Sequence, residues 1–133
     1  MMIPDILSSS PKSPMGSSMC EEFVSKLLYS RNIAHIAHLR TKSFAEHKAL
    51  GEYYEGILDL ADSIAETHMG TTGMVMSLKI PAAEYMPPAS HLSQMKAYIE
   101  ATRDQVSSES HIQNMIDEVV SLVTKTQYLL TLS

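Results

Sequence analysis

The sequence predicts an all-α fold: one four-helix bundle with a long crossover between the second and third helices. Three observations predict it. Met (ten residues), Leu, Ala and Ser dominate, whereas Gly is limited to five residues and Trp is absent, a usage that favours helix over strand. Apolar residues recur at i, i+3, i+4 and i+7 along four long stretches, the period of a helix with one buried face. Two of these stretches open on a capping box, Ser43 with Glu46 and Ser110 with Gln113. At 133 residues and 44% apolar, the chain has enough material for one core and not for two.

Residues 1–18 are rich in Ser, Pro and Met and cannot bury enough surface to offset ordering, so a flexible tail is expected there and the bundle over 19–133. Helix one is expected from Ser18 or Met19 to about Thr41, with Glu21 and Glu22 in its first turn, where the helix dipole favours negative charge. Its apolar face takes in Phe23, Val24, Leu27, Leu28, Arg31, Ala34, His35 and His38. Ile33, Ile36 and Ala37 form a second apolar strip, which suggests a subunit contact.

Helix two is expected from the Ser43 cap to about His68, with Gly70 ending it. Its inward stripe is His47, Leu50, Tyr54, Ile57, Leu58, Ala61, Ile64 and Ala65, and Gly51 and Gly56 suggest close approach by a neighbour. Residues 70–89 hold two Gly and three Pro and break both periodicities, as a crossover running the length of the bundle would. Ser90 is the expected cap of helix three, which ends near Ser107, and the Ser110–Gln113 box starts helix four, which runs to about residue 131.

Composition also excludes several functions. The net charge is −5 and no Lys/Arg cluster is present, so no nucleic-acid partner is expected. Cys20 is the only cysteine, which rules out an internal disulfide and a Cys-rich zinc or iron–sulfur site, and no nucleophile motif surrounds it. No apolar run reaches the length of a membrane span and no secretory signal is evident, so no membrane association and a cytoplasmic location are expected.

The chemistry-bearing residues concentrate between Asn32 and Met69. His35 and His38 are neighbours on one helix, His47 opens the next, and Asp62 and Glu66 follow one turn apart. Imidazoles and carboxylates together suit iron or zinc. Each alone has a plainer reading, a hydrogen-bonded core histidine or a solvated acidic flank.

The order His35, His47, Asp62, Glu66, with Phe44 and Ala45 just before the second histidine, resembles the mini-ferritins of the Dps type. The segment FAEHKALGEYYEGILDLADSIAE looks like that family's second helix, with Phe44, His47, Tyr54, Asp62, Ala65 and Glu66 in register. TKTQYLLTL, 124–132, resembles the end of its last helix. Short phage-encoded proteins of ferritin-like appearance are similar as well. The resemblance implies a ferritin-like bundle, a homo-oligomer with two-fold interfaces that can close into a shell, and iron bound by His35 and His47 of one subunit with Asp62 and Glu66 of the other. Iron oxidation and storage would follow.

The chain departs from that pattern at Gly51, where the family has an acidic residue four positions after the second histidine, and His38 or Glu52 is the expected substitute. Ile36 replaces a tryptophan that often follows the first histidine, and the middle connection lacks the usual short-helix signature. No basic tail is present. The alternative is a metal-silent helical oligomer acting as a structural or interaction protein.

Overall fold

The computed structural model describes residues 15–133, with side chains from residue 19 onward. Four helices account for most of it: α1 (Met15–Arg40), α2 (Phe44–Thr72), α3 (Pro88–Val106) and α4 (Ser110–Leu130). There is no strand among the described residues. No helix among them is long and apolar enough to cross a membrane. The tail expected over 1–18 lies outside the described residues up to 14, and residues 15–18 belong to α1.

Each helix packs on two others and leaves the diagonals empty: α1 on α2 and α3, and α4 on α2 and α3. Residues 73–87 travel along α1 in the direction of its chain. The Ser77 N–H donates to Glu21, the Lys79 N–H donates to the Ser25 hydroxyl, the Tyr29 hydroxyl reaches Met86, and Arg40 lies over the Tyr85 ring. Two extended residues span about 6.6 Å and four helical residues about 6 Å, so successive outward N–H groups of the segment meet successive turns of α1. The segment delivers Pro88 to the end of α1, and α3 then descends antiparallel to it.

The core comes from all four helices. Phe23, Val24 and Leu27 of α1, Leu50, Tyr53, Ile57, Ala61 and Ile64 of α2, Leu92, Met95 and Ile99 of α3, and Ile112, Ile116, Val119 and Val123 of α4 are buried. Each fully buried aliphatic or aromatic side chain contributes about 1.5–3 kcal/mol, so these positions dominate the stability of the bundle. Gly56 admits α4, because a Cβ there would lie 3.0 Å from Leu122 Cδ2.

Several expected boundaries and faces are corrected. Ile33 and Ala37 are buried inside the chain, at 1% and 2% exposure, and so form no free subunit surface; α1 touches two helices and therefore buries a wider arc than one stripe. On α2 it is Tyr53, not Tyr54, that is fully buried. α2 continues through Gly70 and ends at Gly73, whose φ of 73° is left-handed and whose N–H reaches the Met69 carbonyl. Ser43 does cap α2, accepting from the Glu46 N–H at 3.2 Å, but the Glu46 carboxylate turns to the Thr41 hydroxyl rather than back to the cap.

Ser90 is not the cap of α3: the helix starts earlier, with Pro88 in its first turn, where a missing N–H costs nothing. Nor is Ser110–Gln113 a capping box, since Glu109 holds the cap position. The Gln113 amide instead donates to the carbonyls of Arg103 and Ser107, while Arg103 binds the Gln113 side chain, the Gln113 carbonyl and Asp117. That exchange closes the α3–α4 corner.

A candidate metal half-site at the corner of α1 and α2

The corner between α1 and α2 gathers His35, His38, His47 and Tyr54 into one half-exposed row of rings. His38 and His47 stack with centroids 3.7 Å apart and planes 18° from parallel. His35 stacks on Tyr54 at 4.3 Å and lies 6.0 Å from His38, which meets Tyr54 edge-on. Arg31 covers Tyr54, and exposed Phe44 lies beyond His47. The sequence builds this row from two helices whose tight Thr41–Ser43 turn places the end of α1 beside the start of α2.

Hydrogen bonds fix the stacked pair. His38 Nδ1 lies 2.6 Å from the His47 carbonyl, and His47 Nδ1 lies 2.9 Å from the His38 carbonyl. A carbonyl oxygen only accepts, so both Nδ1 atoms carry the proton, and in the neutral rings both Nε2 atoms keep a bare lone pair. Burial, then the charge of Arg31 and then His38 beside it, lower the pKa of His35 from its ordinary value, which favours the neutral, ligand-competent imidazole.

Gly51 faces this pair. A Cβ there would lie 3.1 Å from His38 Cε1 and 3.3 Å from His38 Nδ1, so the His38 ring occupies the space a side chain would take. Close approach was legible in the glycine; its occupant was not.

The other expected ligands lie elsewhere. Asp62 and Glu66 are exposed and carry no ion pair among the described residues, and His47 is separated from Asp62 by about 22 Å of helix rise. Glu52 is exposed and pairs with Lys48 at 3.8 Å, one turn away on the same helix. Among the described residues of one chain, no three His, Cys, Asp or Glu side chains form a group that could hold a metal ion. Within one chain the imidazoles at the α1–α2 corner and the carboxylates of Asp62 and Glu66 thus lie apart along α2.

The bundle interior holds a second polar constellation that the sequence did not reveal. The Ser30 hydroxyl lies 2.7 Å from the Tyr53 hydroxyl and 2.7 Å from His91 Nε2, all three buried. The Ser30 O–H serves one neighbour while its oxygen accepts from the other, which ties α1 to α2 and α3. Burial, and next the charge of Lys26, push the pKa of His91 down to about 4. These residues are 23 and 61 positions apart, so no local spacing announces them. A polar cleft of about 540 Å³ also opens between the first half of α1 and the crossover, lined by Glu21, Glu22, Lys26, Lys79 and Tyr98 and by none of His35, His38 and His47.

With this geometry established, similarity to known proteins gives a family. A family of unknown function (DUF5856) matches residues 38–130. The chain belongs to that family. An uncharacterized 14.6 kDa protein in the mobD–ri intergenic region of Enterobacteria phage T4 is 29% identical over 120 residues, covering 86% of this chain and 90% of that protein. No solved structure matches. The span shared with the DUF5856 family includes His38, His47, Gly51, Asp62 and Glu66 and begins just after His35.

Proposed function

We propose that the protein binds Fe(II) at a two-fold interface between copies of itself and oxidises it for storage, as a ferritin-like bundle of the mini-ferritin kind. The observation that carries this reading is the division of α2 into two complementary halves. Next to its start lie His35, His38 and His47, the last two with Nε2 bare; from Glu52 to Glu66 it carries five exposed acids and no Lys or Arg. Copies of α2 packed antiparallel satisfy both halves at once. The midpoint between His47 and Asp62 falls between Tyr54 and Glu55, and that between His47 and Glu66 falls between Gly56 and Ile57. A two-fold axis beside this stretch brings the histidines of each copy to the carboxylates of the other.

The donor set fits the ion. Neutral imidazole suits Fe(II), and two carboxylates offset the charge of the ferric product after an electron passes to dioxygen or peroxide. The order of helix neighbours and the passage of 73–87 along α1 support the ferritin-like bundle, in which a long crossover makes every neighbouring pair antiparallel. Exposed Leu39 and Phe44 at the same corner offer apolar surface to a partner.

One observation favours the second reading, a metal-silent structural or interaction oligomer. The exchanged hydrogen bonds of His38 and His47 already give these rings a structural task in closing the α1–α2 turn. Anaerobic Fe(II) titration with sedimentation at micromolar protein separates the two. A dimer or larger assembly whose Fe(II) binding is lost in His47→Ala, with helix content unchanged, supports the iron reading. An intact oligomer without Fe(II) binding supports the structural one, and a monomer removes the shared site.

A further inference from the structure

We propose that His38 is a positioning residue for His47 and not a ligand to the same ion, and that Gly51 is the seat that admits its ring. This rests on the iron-site reading above and concerns which imidazole meets the metal. Ring-nitrogen lone pairs lie in the plane of the ring. An ion about 2.1 Å from one Nε2, in that ring's plane, sits roughly one stacking distance out of the plane of the other ring. With the planes 18° from parallel and the centroids 3.7 Å apart, the two lone pairs do not converge, so one ion cannot be held by both.

The surroundings decide which ring is free. His38 is wedged between His47 on one face and the edge contact with Tyr54, and its Cε1, the carbon between the two nitrogens, faces the bare Cα of Gly51. The other ring beside His47 is Phe44, 6.5 Å away and exposed. The His38 ring presses on the inner face of His47, while the His38 carbonyl takes the Nδ1 proton of His47 and the His47 carbonyl takes that of His38. The His38 ring thus sets the second-ring contact and the His38 backbone carbonyl the tautomer, which leaves His47 Nε2 bare. Partners that orient a ligating histidine in this way are worth about 10–100-fold in metal affinity. Gly51 then has a task of its own. A side chain there crowds the ring that holds the ligand, its Cβ lying 3.1 Å from His38 Cε1, so the carboxylate the resemblance leads one to expect competes with His38 for this space.

The test uses the full-length protein with ¹⁵N-labelled histidine. Long-range ¹H–¹⁵N spectra of the metal-free wild type should show His47 protonated at Nδ1 and bare at Nε2. His38→Phe keeps a stacked ring but loses the bond from His38 Nδ1, and His38→Ala loses that bond and the ring; both keep the backbone carbonyl that takes the His47 Nδ1 proton. His47 should keep its Nδ1 proton in both variants, because the His38 carbonyl remains, while its ring ¹⁵N and carbon-bound ¹H shifts move in His38→Ala and less so in His38→Phe as the stacked ring is lost. Co²⁺ titration should then give unchanged stoichiometry, with affinity about 10–100-fold weaker in His38→Ala and less so in His38→Phe. Gly51→Ala should weaken Co²⁺ binding in the same sense. Loss of Co²⁺ stoichiometry in both His38 variants would make His38 a ligand and overturn the proposal. So would a wild-type His47 carrying its proton on Nε2, or a His38→Ala protein in which the His47 ring shifts and the Co²⁺ affinity are both unchanged. If the wild type binds no metal, the iron-site reading fails, and the metal-free spectra still decide the positioning role.

Discussion

Acidification should destabilise the bundle through His91, and the size of the effect follows from its surroundings. The ring is 3% exposed, bonded to Ser30 and held neutral, with its pKa lowered from 6.5 to about 4. In the unfolded chain the same imidazole titrates near 6.5. Between these values the unfolded state takes up a proton that the folded state refuses. The stability tied to neutral His91 is therefore complete above pH 6.5, declines as pH falls from 6.5 toward 4, and is gone below. At about 1.4 kcal/mol per pH unit the full loss is about 3 kcal/mol, of which about 2 kcal/mol falls between pH 7 and pH 5. Urea unfolding at pH 7 and pH 5 should be measured for the wild type and for His91→Gln, which keeps a polar group near Ser30 but does not titrate. The other histidines are common to both proteins, so the wild type should lose about 2 kcal/mol more than the variant over that interval. Equal losses would mean that His91 is not buried neutral, and the reasoning would fail.

Ser30→Ala should cost about 1–3 kcal/mol in the same assay, because it strands the Tyr53 hydroxyl and His91 Nε2 in the core. Cys20, fully buried and with its thiol pushed up to about 12, should resist aromatic disulfide reagents at pH 8 in the folded protein and react at the rate of unfolding; prompt labelling of the native state would contradict its burial. Arg103→Ala should loosen the α3–α4 corner, speeding amide exchange in the first turn of α4 while leaving the α1–α2 corner unchanged. Gly51→Asp, which a simple transfer of the mini-ferritin pattern makes a gain in metal affinity, should instead weaken binding because its Cβ meets His38 at 3.1 Å.

The helices were legible because their signals are local. The Ser43 cap, the apolar period and the Gly/Pro-rich stretch before α3 each act within a turn or two of chain, and each marks a real element. Boundaries failed where a local signal had a rival. Gly70 and Gly73 are equally good stops by composition, and only Gly73 takes the left-handed conformation; Pro88 reads as loop and yet opens a helix. The faces of α1 failed for a different reason. Periodicity assigns one buried stripe per helix, but α1 packs on two neighbours, so Ile33 and Ala37 belong to the core.

At the candidate site, the clustering of His35, His38 and His47 could be anticipated from spacing across a short turn. The stacking of His38 on His47 and its fit over Gly51 could not, because ring orientation depends on carbonyls contributed by the opposite helix. The Tyr53–Ser30–His91 chain left no trace in spacing at all.

The path of residues 73–87 makes the molecule two helical hairpins on a leash. α1 with α2, and α3 with α4, are each joined by a turn of a few residues, and only this one strand of chain connects the pairs. It is fastened to α1 by side-chain acceptors rather than by a ladder, and Val75 on it is 87% exposed. A leash of this kind supplies an effective concentration, on the order of millimolar for a short flexible linker, that neither hairpin has by itself. A single protease cut near Val75 would break no helix and remove no core side chain, yet it would turn docking of the hairpins from an internal event into an encounter between two molecules. The nicked protein would then melt at a temperature that falls on dilution, whereas the intact bundle would not unless its own assembly set the limit.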